Sequence, residues 1–229
     1  MQLAPLIAVV GCDGSGKSTV SAALVEWLRG YRPTDSAHLG LKSGDLGRAI
    51  ARLPLIGRLL DRKITGRANR ARNVEDKIPD ALTATAIYLF SLRRARAFRR
   101  MLALRRAGVA VITDRYPQVA VPGFFDGPGL SAAKAEGAYV RLLARRERAL
   151  YEWMTDFRPD LVIRLNVDLE TAFARKPDHR YESLRAKVAA APLLTFKGAP
   201  IVELNSRDPL DTVIAAAKAA IRETLALPA

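Results

Sequence analysis

The sequence predicts an α/β protein: a five-stranded parallel sheet with helices on both faces and a small lid. Three observations predict it. Five short apolar segments alternate with helical stretches, the pattern of a parallel sheet with helical crossovers. The first segment leads into Gly11-Cys12-Asp13-Gly14-Ser15-Gly16-Lys17-Ser18-Thr19, which has the G-x-x-x-x-G-K-S spacing of a phosphate-binding loop, or P-loop. The chain's 229 residues, 49% of them hydrophobic, suffice for one sizeable domain and are short for two.

Residues 3–10 are apolar and read as a buried strand, and 20–28 carry apolar residues at helical spacing. The loop between them therefore has the strand and helix that the motif needs. Its glycines let backbone N–H groups converge on an anion at a helix N-terminus. Lys17 adds a charge for the β- and γ-phosphates, and the Ser18 hydroxyl is a ligand for Mg²⁺. Gly30 to Pro33 break the pattern, and 37–41 read as a second strand. Lys42 and Asp45 follow it, placed to meet a substrate beyond a strand's carboxyl end. His38 stands alone and reads as structural.

Residues 46–72 read as a basic helical stretch interrupted by Pro54 and Gly57. The longest helix is expected over 80–107, between Pro79 and Gly108. Phe90 and Arg94 share a face of it, a pairing suited to stacking on a planar ring and reading its edge, although Phe90 alone reads as core. Arg96, Arg99, Arg100, Arg105 and Arg106 are expected in solvent. Residues 109–116 form a strand ending in Asp114-Arg115-Tyr116, where a carboxylate would hold Mg²⁺ and Arg115 would brace phosphates. A Pro- and Gly-rich loop over 117–130 precedes a helix over 131–156. A fourth strand spans 161–165. A helix starting at 169, the basic stretch 175–180 and a further helix have the layout of a closing lid, placed at 175–182. A fifth strand, 200–204, leads through Asn205 and Arg207, candidates for the donor nucleotide's side, into a last helix over 209–226.

Net charge is +14 and is concentrated: residues 46–106 hold 16 basic and 4 acidic side chains. Such a segment suits phosphates, nucleic acid or an anionic membrane. No RNA- or DNA-binding motif accompanies it, so nucleic acid is not the expected partner. The candidate partners are a nucleotide or other small-molecule acceptor, a membrane surface facing 46–72, and a second copy of the chain. Cys12 is the single cysteine, which excludes an internal disulfide and suits a reducing compartment. It reads as a tolerated small residue. The N-terminal apolar run is too short for a signal peptide or a span, so a cytoplasmic location is expected.

Taken in order, these residues resemble the thymidylate kinase family of nucleoside monophosphate kinases. Gly11 to Thr19 is similar to its G-x-D-G-x-G-K-S/T-T loop, and Asp114-Arg115-Tyr116 to its D-R-Y strand end. Leu89 to Arg94 matches L-F-S-x-x-R, and Pro159-Asp160-Leu161, Val167-Asp168 and Arg180-Tyr181-Glu182 match its P-D-L, V-D and R-Y-E. The resemblance implies a three-layer P-loop NTPase fold with strand order 2-3-1-4-5, with ATP and Mg²⁺ as cofactors. It implies that Gly11, Gly14, Ser15, Gly16, Lys17, Ser18 and Thr19 hold ATP, and that Ser18 and Asp114 hold the metal. Asp13 would approach the acceptor, Phe90 would stack on its base, Arg94 would bond the base edge, and Tyr116 would line the site. Arg115 would bridge donor and acceptor phosphates, and Arg175 and Arg180 would close over the transferring group. The departures fall on the acceptor side. Leu41 to Asp45 replaces the family's R-E-P-G-G, leaving Lys42 where an arginine would hold the acceptor phosphate, and Pro117-Gln118-Val119-Ala120 replaces S-x-x-A-Y-Q. The basic 46–79 stretch is read as an acceptor-side insertion within a single domain, 1–229.

Three functions follow as expectations. The first is phosphoryl transfer from ATP to a nucleoside monophosphate. The second keeps the donor but uses a nucleoside, sugar or other hydroxyl, which needs a general base, Asp13 or Asp45. The third is a nucleotide-gated binding protein that works through its basic segment.

Overall fold

The computed structural model describes residues 3–40, 81–132 and 136–228. The Lys42 and Asp45 expectations, and those for 46–79, lie outside the described residues. Five parallel strands, β1 (Leu6–Gly11), β2 (Thr34–His38), β3 (Ala110–Asp114), β4 (Leu161–Asn166) and β5 (Ile201–Asn205), line up in the order β2-β3-β1-β4-β5. Six helices are described: α1 (Lys17–Arg29), α2 (Ala81–Arg106), α3 (Ala138–Thr155), α4 (Leu169–Arg175), α5 (Tyr181–Ala190) and α6 (Leu210–Leu225). This is the three-layer P-loop NTPase architecture that the sequence predicts.

β1 is buried along its whole length because it lies in the middle of the sheet with helices on both faces. Its side chains alternate. Leu6, Ala8 and Val10 enter a core with Phe98, Met101 and Leu102 of α2 and Tyr151 and Met154 of α3. Ile7 and Val9 enter the opposite core with Leu24 and Leu28 of α1 and Ala217 and Ile221 of α6. Leu6 pairs with Val111 and Ile7 with Leu161, which fixes the register. The Leu6 N–H donates to the Asp160 carboxylate at 2.7 Å, and Arg105 donates to the Ala4 carbonyl at 2.6 Å. Arg105 is thus buried, not solvated as the sequence suggests, because the sheet's first strand needs these partners.

Two boundaries also shift. β2 begins at Thr34, three residues before the expected 37, and ends at His38. As an edge strand it can carry Asp35 and Ser36 and needs no apolar run, while Leu39 turns into the core. α3 begins at Ala138, after Gly137 at φ 81°, rather than at 131. Leu130–Ala132 form a separate 3₁₀ turn. Among the described residues no helix is long and apolar enough to cross a membrane.

Candidate active site

The carboxyl ends of β1 and β3 and the first turn of α1 meet at the phosphate loop. Gly11 has φ +151°, and a Cβ there would come within 2.5 Å of the Leu165 carbonyl. Gly14 has φ +86°, and its Cβ would press the Ala172 carbonyl of α4 at 3.0 Å. The loop therefore packs closely on β4 and α4. Lys17 is buried and its Nζ donates to the Cys12 carbonyl at 2.6 Å. Burial, then the charge of Arg115, lowers its pKa. Thr19, in the next turn position, is exposed.

Ser18 and Asp114 come together: Oγ of Ser18 donates to Asp114 Oδ2 at 3.3 Å. The other oxygen, Oδ1, is buried with no hydrogen-bond partner among the described residues. A hydroxyl beside an unsatisfied carboxylate oxygen is a donor set for a hard cation. The β2–β3 register sets His38 opposite Asp114, and its Nδ1 lies 3.4 Å from Oδ2. Burial opposes ionisation of Asp114, but His38, Lys17 and Arg115 outweigh it and lower its pKa.

Asp13 is the most contacted carboxylate of the site. Arg115 Nη2 approaches Oδ1 at 3.2 Å, Lys187 of α5 bonds Oδ2, and His179 Nε2 lies 3.6 Å from Oδ2. Burial opposes its charge, yet the Lys187 hydrogen bond and the charges of Lys187, Lys17 and Arg115 hold its pKa at about 2. Arg115, at φ 77°, leaves β3 in the left-handed region and is gripped on its other side by Asp126, 3.7 Å away.

Arg175, at the end of α4, donates to the Gly14 carbonyl at 3.2 Å and the Ser206 carbonyl at 2.9 Å. Ser206 in turn donates to the Ser15 carbonyl at 3.0 Å. The turn after β5 is thereby fastened to the phosphate loop. Asn205 closes that turn by accepting from Arg207 N–H at 3.1 Å, and Arg207 pairs with Asp168 at 3.6 Å. Asp168 caps α4 through Thr171 N–H at 2.8 Å. Arg180 precedes α5, exposed and without an ion pair among the described residues.

The acceptor-side residues separate. Phe90 is half-buried and belongs to none of the hydrophobic clusters of described residues. Arg94 is buried instead: its guanidinium donates to Asp126 Oδ1 at 2.7 Å, the Asp126 carbonyl at 2.5 Å and the Tyr151 hydroxyl at 3.1 Å. Tyr116 is directed into the core against Phe98 and Phe196, with its hydroxyl donating to the Phe157 carbonyl. Burial pushes its pKa up.

The sequence does not single out Asp126 or Lys187, and it reads His179 as a surface residue and Ser206 as part of the cap of the last helix, whereas His179 lies against Asp13 and Ser206 holds the phosphate loop. Asp126 sat in a loop with nothing to single it out, and the other three act across the fold. Cys12 is buried against Leu184 of α5 with Val167 and Ala172, a packing role.

The sheet order, the glycine loop and the Ser18–Asp114 pair define a P-loop NTPase fold. No family model matches the chain. It is 46% identical over 221 residues to the uncharacterized ATP-binding protein YghS of Escherichia coli strain K12, covering 96% of this chain and 93% of that protein. It is 42% identical over 217 residues to the uncharacterized ATP-binding protein YghR of the same strain, covering 94% and 86%. The chain belongs to the family of YghS and YghR.

Proposed function

We propose that the protein transfers the γ-phosphoryl group of ATP to a nucleoside monophosphate, as the thymidylate kinase-like enzymes it resembles do. The donor side is supported by the phosphate loop and by relatives described as ATP-binding. The observation that carries the acceptor class is Asp13. Held between Arg115 and Lys187 with a pKa of about 2, it is a poor base for a hydroxyl. An acceptor phosphate is already ionised and needs no base, and it gains from the cations gathered there.

The residues present fit Mg²⁺, which Ser18 and Asp114 would hold and which would neutralise phosphate charge when bound. Lys17 and the loop N–H groups bind the donor phosphates. Arg115 places a cation between the two reacting groups. Arg175 and Ser206 hold the loop against the turn after β5. Catalysis of this kind is mainly positioning and charge stabilisation.

Incubating the protein with ATP, Mg²⁺ and a panel of nucleoside monophosphates, nucleosides and sugars tests the reading. ADP release that depends on a monophosphate, with its diphosphate as product, is expected. Transfer only to hydroxyl compounds, or to nothing in the panel, would overturn it.

A further inference from the structure

We infer that Lys187 of α5 is a catalytic residue that binds the γ-phosphoryl oxygens of the donor, and that its pairing with Asp13 holds it at the site between turnovers. The inference rests on the ATP-dependent transfer proposed above and adds a residue to it.

The placement comes from the packing of α5. Leu184, Lys187 and Val188 fall at i, i+3 and i+4, on one face of the helix. Leu184 is 1% exposed and packs with Cys12 of the phosphate loop, and Val188 borders the same cluster. That face therefore lies on the loop, and Lys187 is carried to Asp13. The side chain is still 30% exposed, so its Nζ can change partner.

The lid arginines have different situations. Arg175 is held on two backbone carbonyls, and Arg180 points to solvent. Of the lysines and arginines over 175–187, only Lys187 forms an ion pair with a side chain of the phosphate loop among the described residues. Arg94, Arg115 and Lys187 share two carboxylates, Asp126 and Asp13, so three cations face two anions. A bound triphosphate supplies the anion that this excess of positive charge lacks. During transfer the bond from the γ-phosphorus to the ADP oxygen breaks and the bond to an acceptor phosphate oxygen forms. Lys187 neither gains nor loses a proton. It stabilises charge on the oxygens of the moving group.

The test compares the nucleotides AMPPNP and ADP, each with Mg²⁺, on wild type, Lys187→Met, Lys187→Gln and Lys187→Arg by titration calorimetry, with a thermal melt of each. Lys187→Met and Lys187→Gln should bind AMPPNP about 10- to 100-fold more weakly, the range for losing a charge-assisted hydrogen bond. ADP affinity should stay within about twofold, and Lys187→Arg should recover most of the loss. Equal losses for both nucleotides would show a latch that only holds α5 in place. No loss in a folded variant would also overturn the inference, as would a wild type that binds AMPPNP and ADP alike. The acceptor plays no part in these titrations, so failure of the acceptor screen and failure of this inference are separate results.

Discussion

At the scale of single residues, the site depends on charges held where water cannot reach them freely. Lys17→Ala removes a cation from the phosphates while relieving a buried charge, so phosphoryl transfer should be lost and the melting temperature kept. Near-normal turnover would contradict the phosphate-loop assignment. Asp114→Asn replaces an unsatisfied anionic oxygen with a neutral amide, so the Mg²⁺ concentration needed for half-maximal activity should rise. A Mg²⁺ titration matching wild type would remove Asp114 from the metal's partners. Asp13 has a stability signature of its own. Its folded pKa is about 2, below the usual 3.8, so its ionised form stabilises the fold above about pH 4. That contribution fades as pH falls from about 4 towards 2. Wild type should therefore melt higher than Asp13→Asn at pH 5, and the gap should narrow at pH 2.5. A gap that stays constant across this window would mean the ion pairs contribute nothing.

At the scale of elements, α2 shows how much the sequence revealed and where it stopped. Its ends were predicted within a residue, because Pro79 and Gly108 bracket a long pattern with no internal breaker. The face shared by Phe90 and Arg94 was legible too, but the partner of Arg94 was not. Asp126 lies 32 residues later in a Pro- and Gly-rich loop, and no local spacing connects the two. The same limit hid Lys187, whose approach to Asp13 spans 174 residues. The phosphate loop was legible in full because its chemistry lies within nine consecutive positions. These facts separate two variants of one helix face. Phe90→Ala should weaken acceptor binding by about 1–3 kcal/mol, the range for base–aromatic stacking, without changing the fold. Arg94→Ala leaves the Asp126 carboxylate, 8% exposed, facing a lost partner, and should destabilise the protein by about 3–5 kcal/mol. Acceptor KM measured beside thermal melts distinguishes the two. An Arg94→Ala protein as stable as wild type would return Arg94 to a base-reading role.

At the scale of the whole molecule, exposed arginines line two neighbouring helices. Contacts such as Thr85 to Tyr139, Ser91 to Glu147 and Arg94 to Tyr151 show α2 and α3 running side by side in the same direction. Arg93, Arg96, Arg100, Arg141, Arg145 and Arg146 are exposed along them. Some of the neighbouring charge is engaged locally, with Arg148 on Glu152 at 2.8 Å and Arg99 over the Trp153 ring at 5.2 Å. No nucleic-acid-binding motif accompanies this surface, so duplex and single-stranded DNA should not bind at physiological salt. Binding with a steep salt dependence in a filter or fluorescence titration would contradict this.

The strand order has a consequence for the chain while it is being made. β1 leaves the ribosome before the other strands, yet it ends in the centre of the sheet. Its neighbours start only at Ala110 and Leu161. At synthesis rates of ~5–20 residues per second, the wait for the first neighbour is on the order of 5–20 s. Throughout that wait a wholly apolar strand, buried along its length in the finished protein, has no sheet to join. A nascent chain of this design needs shelter by a chaperone, or rapid collapse of β1 onto α1, long before its nucleotide site exists.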